Sequence, residues 1–568
     1  MKKLLITLSV ILAFYSSNAQ QAEDFIPPVN YKMYLSGNVG EYRANHFHSG
    51  IDIKTEGVTG KPILAIADGY VSRIGVSPTG YGYCLYVNHD NGTTSVYGHL
   101  ERFNDRIEEY VVDQQYKRKT FNVDLYLSRW QLPVKQGEII ALSGNSGSSA
   151  GPHLHFEIRE QSTQNPLNFL ALGYMGGIED NISPRFIKLH IINFVEVDGY
   201  LVPADRLEYE IESLYAGYRV KSGPVKTGDI CAFAVEVTDR KRGSDNTLGI
   251  YSLEQKIDGN RNFGFTIDKF TFAETRYAND YVDYNRNQKT RNEIIKCFVS
   301  PNNKLSIYRN VTDGGIIRGK GIRKVEISIT DDAGHSSTLE FVAETGSITS
   351  EITVPSNSQL VRWDKNFTYE TENLKVNIPA GKMYISNYVE FTEEHGPKNS
   401  LSALYTIGDP DKLTPLHTAM TVTIKPDSIP TGLSNKIFAA SLTNNGRIIY
   451  EGGTLKGTVV EVGTRTFGKY FVTFDTIPPK ITPEFTNNAD LSGNSKFSFK
   501  ITDELSGIKS YSATIDGQWA LFEYDKKNNR ITHYFRHARY DKGETHNLSL
   551  TVTDNMGNST TEKYTFIY

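Results

Sequence analysis

Cysteine is scarce in this sequence, since only three of the 568 residues are cysteines. They are Cys84, Cys231 and Cys297, and none belongs to a Cys-x-x-Cys motif, so a structural zinc site of the cysteine type is disfavoured. At most one disulfide can form within the chain. Cys231 with Cys297 is the possible pair, because both fall in one predicted domain. Cys84 lies in an apolar strand-like run, which predicts a buried small residue.

Long apolar runs and an excess of either charge are also lacking. No long apolar segment follows residue 14, and a net charge of -4 with a pI near 6.4 argues against binding to nucleic acid. The first residues differ from the rest. Two lysines, a short apolar run at 4–14 and small residues at 17–19 predict a signal peptide over residues 1–19. We therefore expect an exported protein without a transmembrane segment, in the periplasm, the cell envelope or outside the cell.

Two histidine-containing segments carry the strongest chemical signal. One begins at His48 and ends at Asp52, and the other contains His153 and His155. Together they offer two imidazoles and one carboxylate, a donor set that leaves a zinc ion one open coordination position, as in catalytic sites. His153 and His155 alternate with apolar residues, so both point to one face of a strand, about 7 Å apart along it. One can therefore bind a metal while the other faces the open position.

A further histidine and a glycine-rich segment belong to the same pattern. His99 follows a strand-like run, and residues 143–151 are almost all small, which lets the chain approach a neighbouring backbone closely beside a cleft. His89 lies in a polar turn, where a hydrogen-bonded structural role is the usual one. His46 is the one competitor of His48 for the metal, because it is two residues away on the same strand face.

These segments resemble the signature of the lysostaphin-type zinc metallopeptidases, the LytM family, which cut peptide cross-links of bacterial cell walls. The resemblance rests on H-S-G-I-D, Y-G-H-L and S-G-x-S-G-x-x-x-G-P-H-L-H-F-E in this order, and it covers about residues 30–172. It implies a barrel-sandwich hybrid fold and one zinc ion per chain. The zinc ligands that it implies are His48, Asp52 and His155. The catalytic pair that it implies near the bound water is His99 and His153. The strands predicted in this part are 62–67, 69–74, 84–89, 93–97, 138–143 and 153–159.

One segment departs from the family pattern. The connection after Leu100 is longer than is usual in the family, which gives an insert at about residues 103–134 with Tyr116 and Trp130 among its aromatic residues. The insert predicts a short helix and an aromatic flap. Its role is either that of a lid or wall of the substrate groove, or that of a surface elaboration packed on a neighbouring domain.

The rest of the chain predicts further β-domains, so the fold class is mainly β. An internal repeat supports this: the strand that ends in Thr238-Asp239 reappears before Asp503, and the one before Asp331 reappears before Asp554. Such strands, closed by glycine turns, predict immunoglobulin-like sandwiches. The predicted divisions are a signal peptide at 1–19, a zinc metallopeptidase domain at 30–172, an immunoglobulin-like domain with an insertion at 183–344, a β-rich domain of unknown role at 346–475, and a second immunoglobulin-like domain at 479–568.

The sequence therefore predicts an exported zinc-dependent endopeptidase that hydrolyses peptide cross-links of bacterial peptidoglycan. The β-domains would hold it at the wall or bind envelope proteins. Two alternatives stay open: a non-catalytic LytM-like activator of a cell-wall amidase, and an envelope scaffold or adhesin with a vestigial peptidase domain. The complete set of five matched residues favours catalysis. The sequence does not decide which bond is cut, or which of His99 and His153 is the general base.

Overall fold

The computed structural model describes residues 25–568, and it is mainly β, as predicted. The predicted signal peptide at 1–19 lies outside the described residues. Between residues 25 and 568, no helix is long and apolar enough to cross a membrane. The helices are α1 (Asp105–Arg118), α2 (Ala278–Tyr281) and α3 (Tyr284–Thr290), with short 3-10 turns at Thr275–Tyr277, Asp313–Gly315, Lys526–Asn528 and Phe535–His537.

The N-terminal part, residues 25–175, contains two main sheets. The larger has the order β1-β4-β13-β8-β7-β6-β10, with β11 also paired to β6, and the smaller has the order β5-β12-β9. The six predicted strands are all present, as β5 to β8, β12 and β13. The strands are β1 (Leu35–Gly37), β2 (Tyr42–Arg43), β3 (His46–Phe47), β4 (Ile51–Lys54), β5 (Pro62–Leu64), β6 (Gly69–Val76), β7 (Tyr83–His89), β8 (Thr93–Leu100), β9 (Arg102–Phe103), β10 (Val123–Tyr126), β11 (Pro133–Val134), β12 (Ile139–Leu142) and β13 (His153–Glu160).

The first repeat unit, residues 185–345, is built on one twelve-stranded sheet, in which the long strand β15 pairs with β14 at one end and β16 at the other. Helices α2 and α3 lie in the predicted insertion of this unit. All three cysteines of the chain are buried and free, so Cys231 and Cys297 do not pair. The strands are β14 (Arg185–Val197), β15 (Tyr200–Leu214), β16 (Gly217–Val220), β17 (Val225–Lys226), β18 (Ile230–Thr238), β19 (Ser252–Ile257), β20 (Asn260–Thr266), β21 (Glu293–Lys296), β22 (Tyr308–Arg309), β23 (Ile317–Arg318), β24 (Gly321–Thr330) and β25 (Ser336–Thr345).

The middle unit, residues 358–474, has a sheet of order β26-β29-β30-β36-β32-β33 and another of order β27-β28-β31-β35-β34. Both sheets contribute side chains to one apolar core. The strands are β26 (Ser358–Val361), β27 (Phe367–Glu370), β28 (Leu374–Ile378), β29 (Asn387–Glu394), β30 (Leu404–Ile407), β31 (Pro415–Ile424), β32 (Ile437–Leu442), β33 (Ile448–Gly452), β34 (Thr454–Lys456), β35 (Val459–Thr466) and β36 (Gly468–Phe474).

The last unit, residues 480–567, has sheets of order β37-β39-β43-β42 and β38-β45-β44-β40-β41, which also share one core. This arrangement is a sandwich, whereas the immunoglobulin-like assignment of this unit and of the first repeat unit stays a prediction. The strands are β37 (Lys480–Pro483), β38 (Ala489–Asp490), β39 (Lys496–Thr502), β40 (Ile508–Ile515), β41 (Gln518–Trp519), β42 (Glu523–Asp525), β43 (Arg530–Tyr534), β44 (Thr545–Asp554) and β45 (Ser559–Ile567).

The predicted insert contains α1, the longest helix within residues 25–568, which is capped at both ends. Asn104 caps its first turn by accepting a hydrogen bond from the Ile107 amide, and Lys119 ends it in a left-handed conformation. One face of α1 packs on the last unit: the Tyr116 hydroxyl donates to the carbonyl of His537 at 2.7 Å, and its ring meets Trp519 edge-on. Of the two roles predicted for the insert, packing on another unit is therefore observed for the helix.

Candidate metal centre and active site

Strand pairing brings the predicted metal ligands together. Strand β13 lies between β4 and β8, and His155 stands directly opposite Asp52 on one side and Gly98 on the other. Residues opposite each other on neighbouring antiparallel strands have side chains in contact. The segment before β4 runs so close to β13 that a side chain at Gly50 would meet the carbonyl oxygen of Phe156. Glycine is therefore required at position 50 for this crossing.

Three side-chain atoms converge at the centre of this arrangement. The distances are 3.0 Å from His48 Nε2 to His155 Nδ1, 3.0 Å from His155 Nδ1 to Asp52 Oδ1, and 3.1 Å from His48 Nε2 to the same Asp52 oxygen. Three corners of a tetrahedron with zinc–ligand bonds of about 2.0 Å lie roughly 3.3 Å apart. The three donors therefore have the spacing that one zinc ion requires.

The hydrogen bonds of the outward-facing ring nitrogens indicate which nitrogen of each imidazole can bind a metal. His48 Nδ1 lies 2.9 Å from the carbonyl oxygen of Asn38, and His155 Nε2 lies 2.8 Å from Glu157 Oε1. Both contacts require the proton to sit on that nitrogen, as is usual behind metal ligands. When both rings are neutral, the two nitrogens that face each other carry lone pairs at 3.0 Å, an arrangement that a cation between them stabilises. The residues present thus fit zinc.

Electrostatics keep the carboxylate of the site ionised. Arg43 donates to Asp52 Oδ2 at 2.5 Å. Burial alone would raise the pKa of Asp52, but the surrounding His48, His153 and His155 hold this pKa well below its usual range. Burial lowers the pKa of His48 to about 4, so its imidazole is neutral and able to bind metal at neutral pH. Arg43 was not among the predicted residues.

Glu157 fixes the orientation of the ligand His155. Its Oε1 atom accepts from the Ser49 hydroxyl at 2.8 Å and from the Tyr81 hydroxyl at 2.6 Å, besides the contact with His155. Arg159 donates to the other carboxylate oxygen at 2.5 Å. Burial lowers the pKa of His155, but its hydrogen bonds to Asp52 and Glu157 outweigh burial and raise it to about 8. Glu157 was not among the predicted residues, although its spacing of two from His155 places it on the same strand face.

His99 and His153, the predicted catalytic pair, stand side by side next to the metal ligands. Their ring centroids are 4.8 Å apart, and His153 Nε2 lies 3.4 Å from Asp52 Oδ1. Each ring uses its Nδ1 to bind a backbone carbonyl at 2.9 Å, that of Ser146 for His99 and that of Gly151 for His153. Because Nδ1 of each ring is the donor, Nε2 of each is the nitrogen that can exchange a proton.

The backbone of His99 is unusual. Its φ of +59° lies in the left-handed region, which residues with a side chain rarely adopt, and such strain concentrates at functional sites. Its amide nevertheless donates to the Tyr81 carbonyl at 2.8 Å. Burial, together with the positive charges that His155 and His153 can carry, lowers the pKa of His99 to about 3. The ring is therefore neutral at neutral pH.

Two other histidines are placed outside the centre. His46, the competitor of His48, is exposed and contacts the carbonyl oxygen of Ala44. His89 is buried between the carbonyl of Asp68 and the hydroxyl of Ser95, which is the structural role predicted for it. The structure thus places His48, and not His46, with Asp52 and His155.

The glycine-rich loop 143–151 connects the predicted catalytic pair to the last unit. Ser149 Oγ lies 3.2 Å from His153 Nδ1, and Gly144 forms a bridge with His153. From the last unit, Lys527 Nζ donates to the carbonyl oxygen of Ser149 at 2.9 Å and also to that of Asn145. Sequence reasoning missed Lys527, because no local signal connects residues so far apart in the chain.

Comparison with known proteins agrees with this geometry. Residues 46–117 and 121–168 match the family model described as Peptidase family M23, and residues 358–475 match that of a Zu5-like domain. The chain is 30% identical over 141 residues to an uncharacterized metalloprotease of Haemophilus influenzae, covering 25% of this chain and 24% of that protein. It is 33% identical over 112 residues to the DD-carboxypeptidase/endopeptidase Mpg of Neisseria meningitidis, covering 20% of each. A third relative, the murein hydrolase activator NlpD of Escherichia coli, is 35% identical over 124 residues, covering 22% of this chain and 26% of NlpD.

Two solved structures each match about a quarter of this chain. The catalytic domain of the M23 protein EnpA from Enterococcus faecalis is 25% identical, with a TM-score of 0.18, and covers 24% of this chain and 87% of that one. The catalytic domain of lysostaphin from Staphylococcus simulans is 26% identical, with a TM-score of 0.17, and covers 22% of this chain and 80% of that one. This chain spans only about a quarter of the length of the curated relatives that it matches. The part of the chain that holds the three-donor centre is a peptidase family M23 domain.

Proposed function

We propose that this protein is an exported zinc endopeptidase that hydrolyses peptide cross-links of bacterial peptidoglycan. The observation that carries the proposal is the convergence of His48, Asp52 and His155 on one point, with the Nε2 atom of His153 beside it. Relatives named as an endopeptidase and as a murein hydrolase activator support a substrate in the cell wall. The signal-peptide pattern at residues 1–19 supports export.

The chemistry of the site follows from its side chains. Zinc held by three protein ligands polarises a carbonyl group and lowers the pKa of water. His99 and His153, each oriented through Nδ1 by a backbone carbonyl, would take the proton from the attacking water, stabilise the developing oxyanion and return a proton to the leaving amine. The carbonyl oxygen of Asn38 holds the imidazole of His48, and the carboxylate of Glu157 holds that of His155.

The test of this function combines metal analysis with product analysis. Purified protein should contain about one zinc per chain, and mass spectrometry of muropeptides should show cross-linked peptides being cut. His48→Ala, Asp52→Ala and His155→Ala should each remove zinc and abolish cleavage, because three protein ligands leave no redundancy. His46→Ala, a histidine two residues from a ligand, is the matched control and should keep both zinc and activity.

The relative named as a murein hydrolase activator makes a non-catalytic role the alternative outcome. A protein that binds no zinc and cuts no muropeptide, yet stimulates a wall amidase in the same assay, would show the activator role and contradict the proposal. A protein that keeps zinc after His48→Ala but loses it after His46→Ala would contradict the assignment of the ligands.

A further inference from the structure

The two repeat units share a cluster of aspartates outside the peptidase site. In the first repeat unit, ligand atoms of Asp180, Asp331 and His335 lie within 4.8 Å of one another, and in the last unit those of Asp475, Asp503 and Asp554 do so. Asp180 precedes the first strand of its unit, β14, by five residues, and Asp475 precedes β37 by five residues. Both clusters therefore lie where the preceding segment enters a repeat unit.

The positions are equivalent in the fold as well as in the sequence. Asp239 directly follows β18 and Asp503 directly follows β39. Asp331 follows β24, which pairs with β19 and β25, and Asp554 ends β44, which pairs in the same way with β40 and β45. One set of three aspartates is thus repeated: Asp180, Asp239 and Asp331 in the first repeat unit, and Asp475, Asp503 and Asp554 in the last.

Both clusters have the same uncompensated charge. In the first, Lys241 Nζ pairs with Asp180 at 2.7 Å and with Asp332, so the four aspartates, when all are ionised, and one lysine carry a formal charge of -3. In the last unit, Leu505 stands in place of Lys241 and Asn555 in place of Asp332. The lysine and its aspartate are thus lost together, and the three shared aspartates again carry -3. Among residues 25–568, no lysine, arginine or histidine forms an ion pair with these last three.

A buried polar group in each cluster lacks a partner. Asp239 is 2% exposed, and neither of its carboxylate oxygens has a well-aligned hydrogen bond. Burial and the neighbouring charges of Asp331 and Asp180 raise its pKa to about 8, so without a cation this carboxyl group keeps its proton near neutral pH. In the last unit the Ser506 hydroxyl, also 2% exposed, has no partner, while the Ser506 amide donates to Asp475 at 3.1 Å. Ionising a buried carboxyl group without a counter-charge is unfavourable.

We propose that each of these three-aspartate clusters binds one calcium ion. The shared ligands are all carboxylate oxygens, which calcium prefers, and His335 is not shared because Asn558 stands in its place. A divalent cation removes most of the uncompensated charge. It also connects the segment before each unit, through Asp180 or Asp475, to two strand ends of the unit, so it would fix the junction between successive units. This inference does not depend on the peptidase activity.

Calcium titration of the full-length, zinc-loaded protein tests the proposal. Isothermal titration calorimetry with calcium chloride, over a range that includes affinities of about 10⁻⁴–10⁻³ M found in extracellular modules, should give two calcium ions per chain. The melting temperature should rise with calcium. Asp239→Asn and Asp503→Asn should each lower the calcium number by one, and the double variant should bind none. Glu504→Gln, next to Asp503 but exposed, is the matched control and should still bind two.

The variants also report on the protein without calcium. In calcium-free buffer Asp239 keeps its proton near neutral pH, because its pKa is raised to about 8. Asp503 accepts hydrogen bonds from backbone amides, which an asparagine oxygen can also accept. Asp239→Asn and Asp503→Asn should therefore melt no lower than the wild type without calcium. This result distinguishes loss of a ligand from failure to fold. The proposal would be overturned if calcium left the melting temperature of the wild-type protein unchanged and gave no heat of binding in the calorimeter. A cluster whose substitution leaves the calcium number unchanged is not a calcium site.

Discussion

At the scale of single residues, the four histidines of the site form two pairs with different surroundings. His48 and His155 each donate a hydrogen bond to an oxygen behind the ring, and their other nitrogens face each other. His99 and His153 are anchored through Nδ1 to backbone carbonyls and stand beside the ligands without converging on the same point. The two pairs of histidines should therefore respond differently to substitution.

His99→Ala and His153→Ala should each keep zinc and lower the cleavage rate by at least about 100-fold, the scale of a lost proton-transfer or oxyanion group. The cleavage rate of the double variant should fall by much less than the product of the two single fold-losses, because both groups act on one transition state. Zinc content and muropeptide cleavage rates of the three variants measure this. A near-normal rate for His99→Ala would assign the strained His99 a structural role only.

The site residues that the sequence predicts lie within short motifs. The spacing of His153 and His155 predicts that they share a strand face, whereas the roles of His48 and Asp52 came from the resemblance to the LytM signature. Arg43 was not predicted, because its contact with Asp52 depends on how the chain turns between β2 and β4. When the fold, and not a short spacing in the chain, brings two side chains together, a single sequence carries no signal for their contact.

At the scale of elements, the loop 143–151 is held from outside its own sheet. It contacts His153 through Ser149, and the carbonyl of Ser149 accepts from Lys527 of the last unit. The strands of the N-terminal part were predictable because alternating apolar residues have a local period. The helix of the insert was also predicted, but its partner was not, because Tyr116 and the carbonyl of His537 are joined only by the fold.

Lys527→Met should loosen this loop and misplace His153, with a loss of cleavage of up to about 100-fold, as for other small displacements of a catalytic group. Zinc should be retained, because the ligands lie on β4, β13 and the segment before β4. Hydrogen exchange of residues 143–151 should become faster, and Lys527→Arg should restore part of the protection. Lys526→Met, in the same turn, is the control. Unchanged exchange in Lys527→Met would show that the loop holds its own conformation.

At the scale of the whole molecule, the last unit lies against the N-terminal part although more than 300 residues separate them in the chain. Leu521 belongs to the same apolar cluster as the N-terminal core, and Arg539 pairs with Asp113 on α1. The first repeat unit shares that cluster too. These contacts place the last unit beside the peptidase site, in addition to any role that it has in binding the wall or a partner.

A chain that ends at residue 475 tests what this contact contributes. It should still bind zinc, because His48, Asp52 and His155 lie entirely in the N-terminal part. It should lose hydrogen-exchange protection in α1 and in the loop 143–151, because Trp519, Leu521 and Lys527 are removed. Cleavage of a small cross-link peptide should therefore fall, whereas a unit that serves only to bind the wall would leave this reaction unchanged. Full-length Leu521→Ala, which removes one buried side chain but keeps Lys527, should weaken the protection of α1 more than that of the loop. If the truncated chain cleaves the small peptide as fast as the full chain, the last unit takes no part in the site.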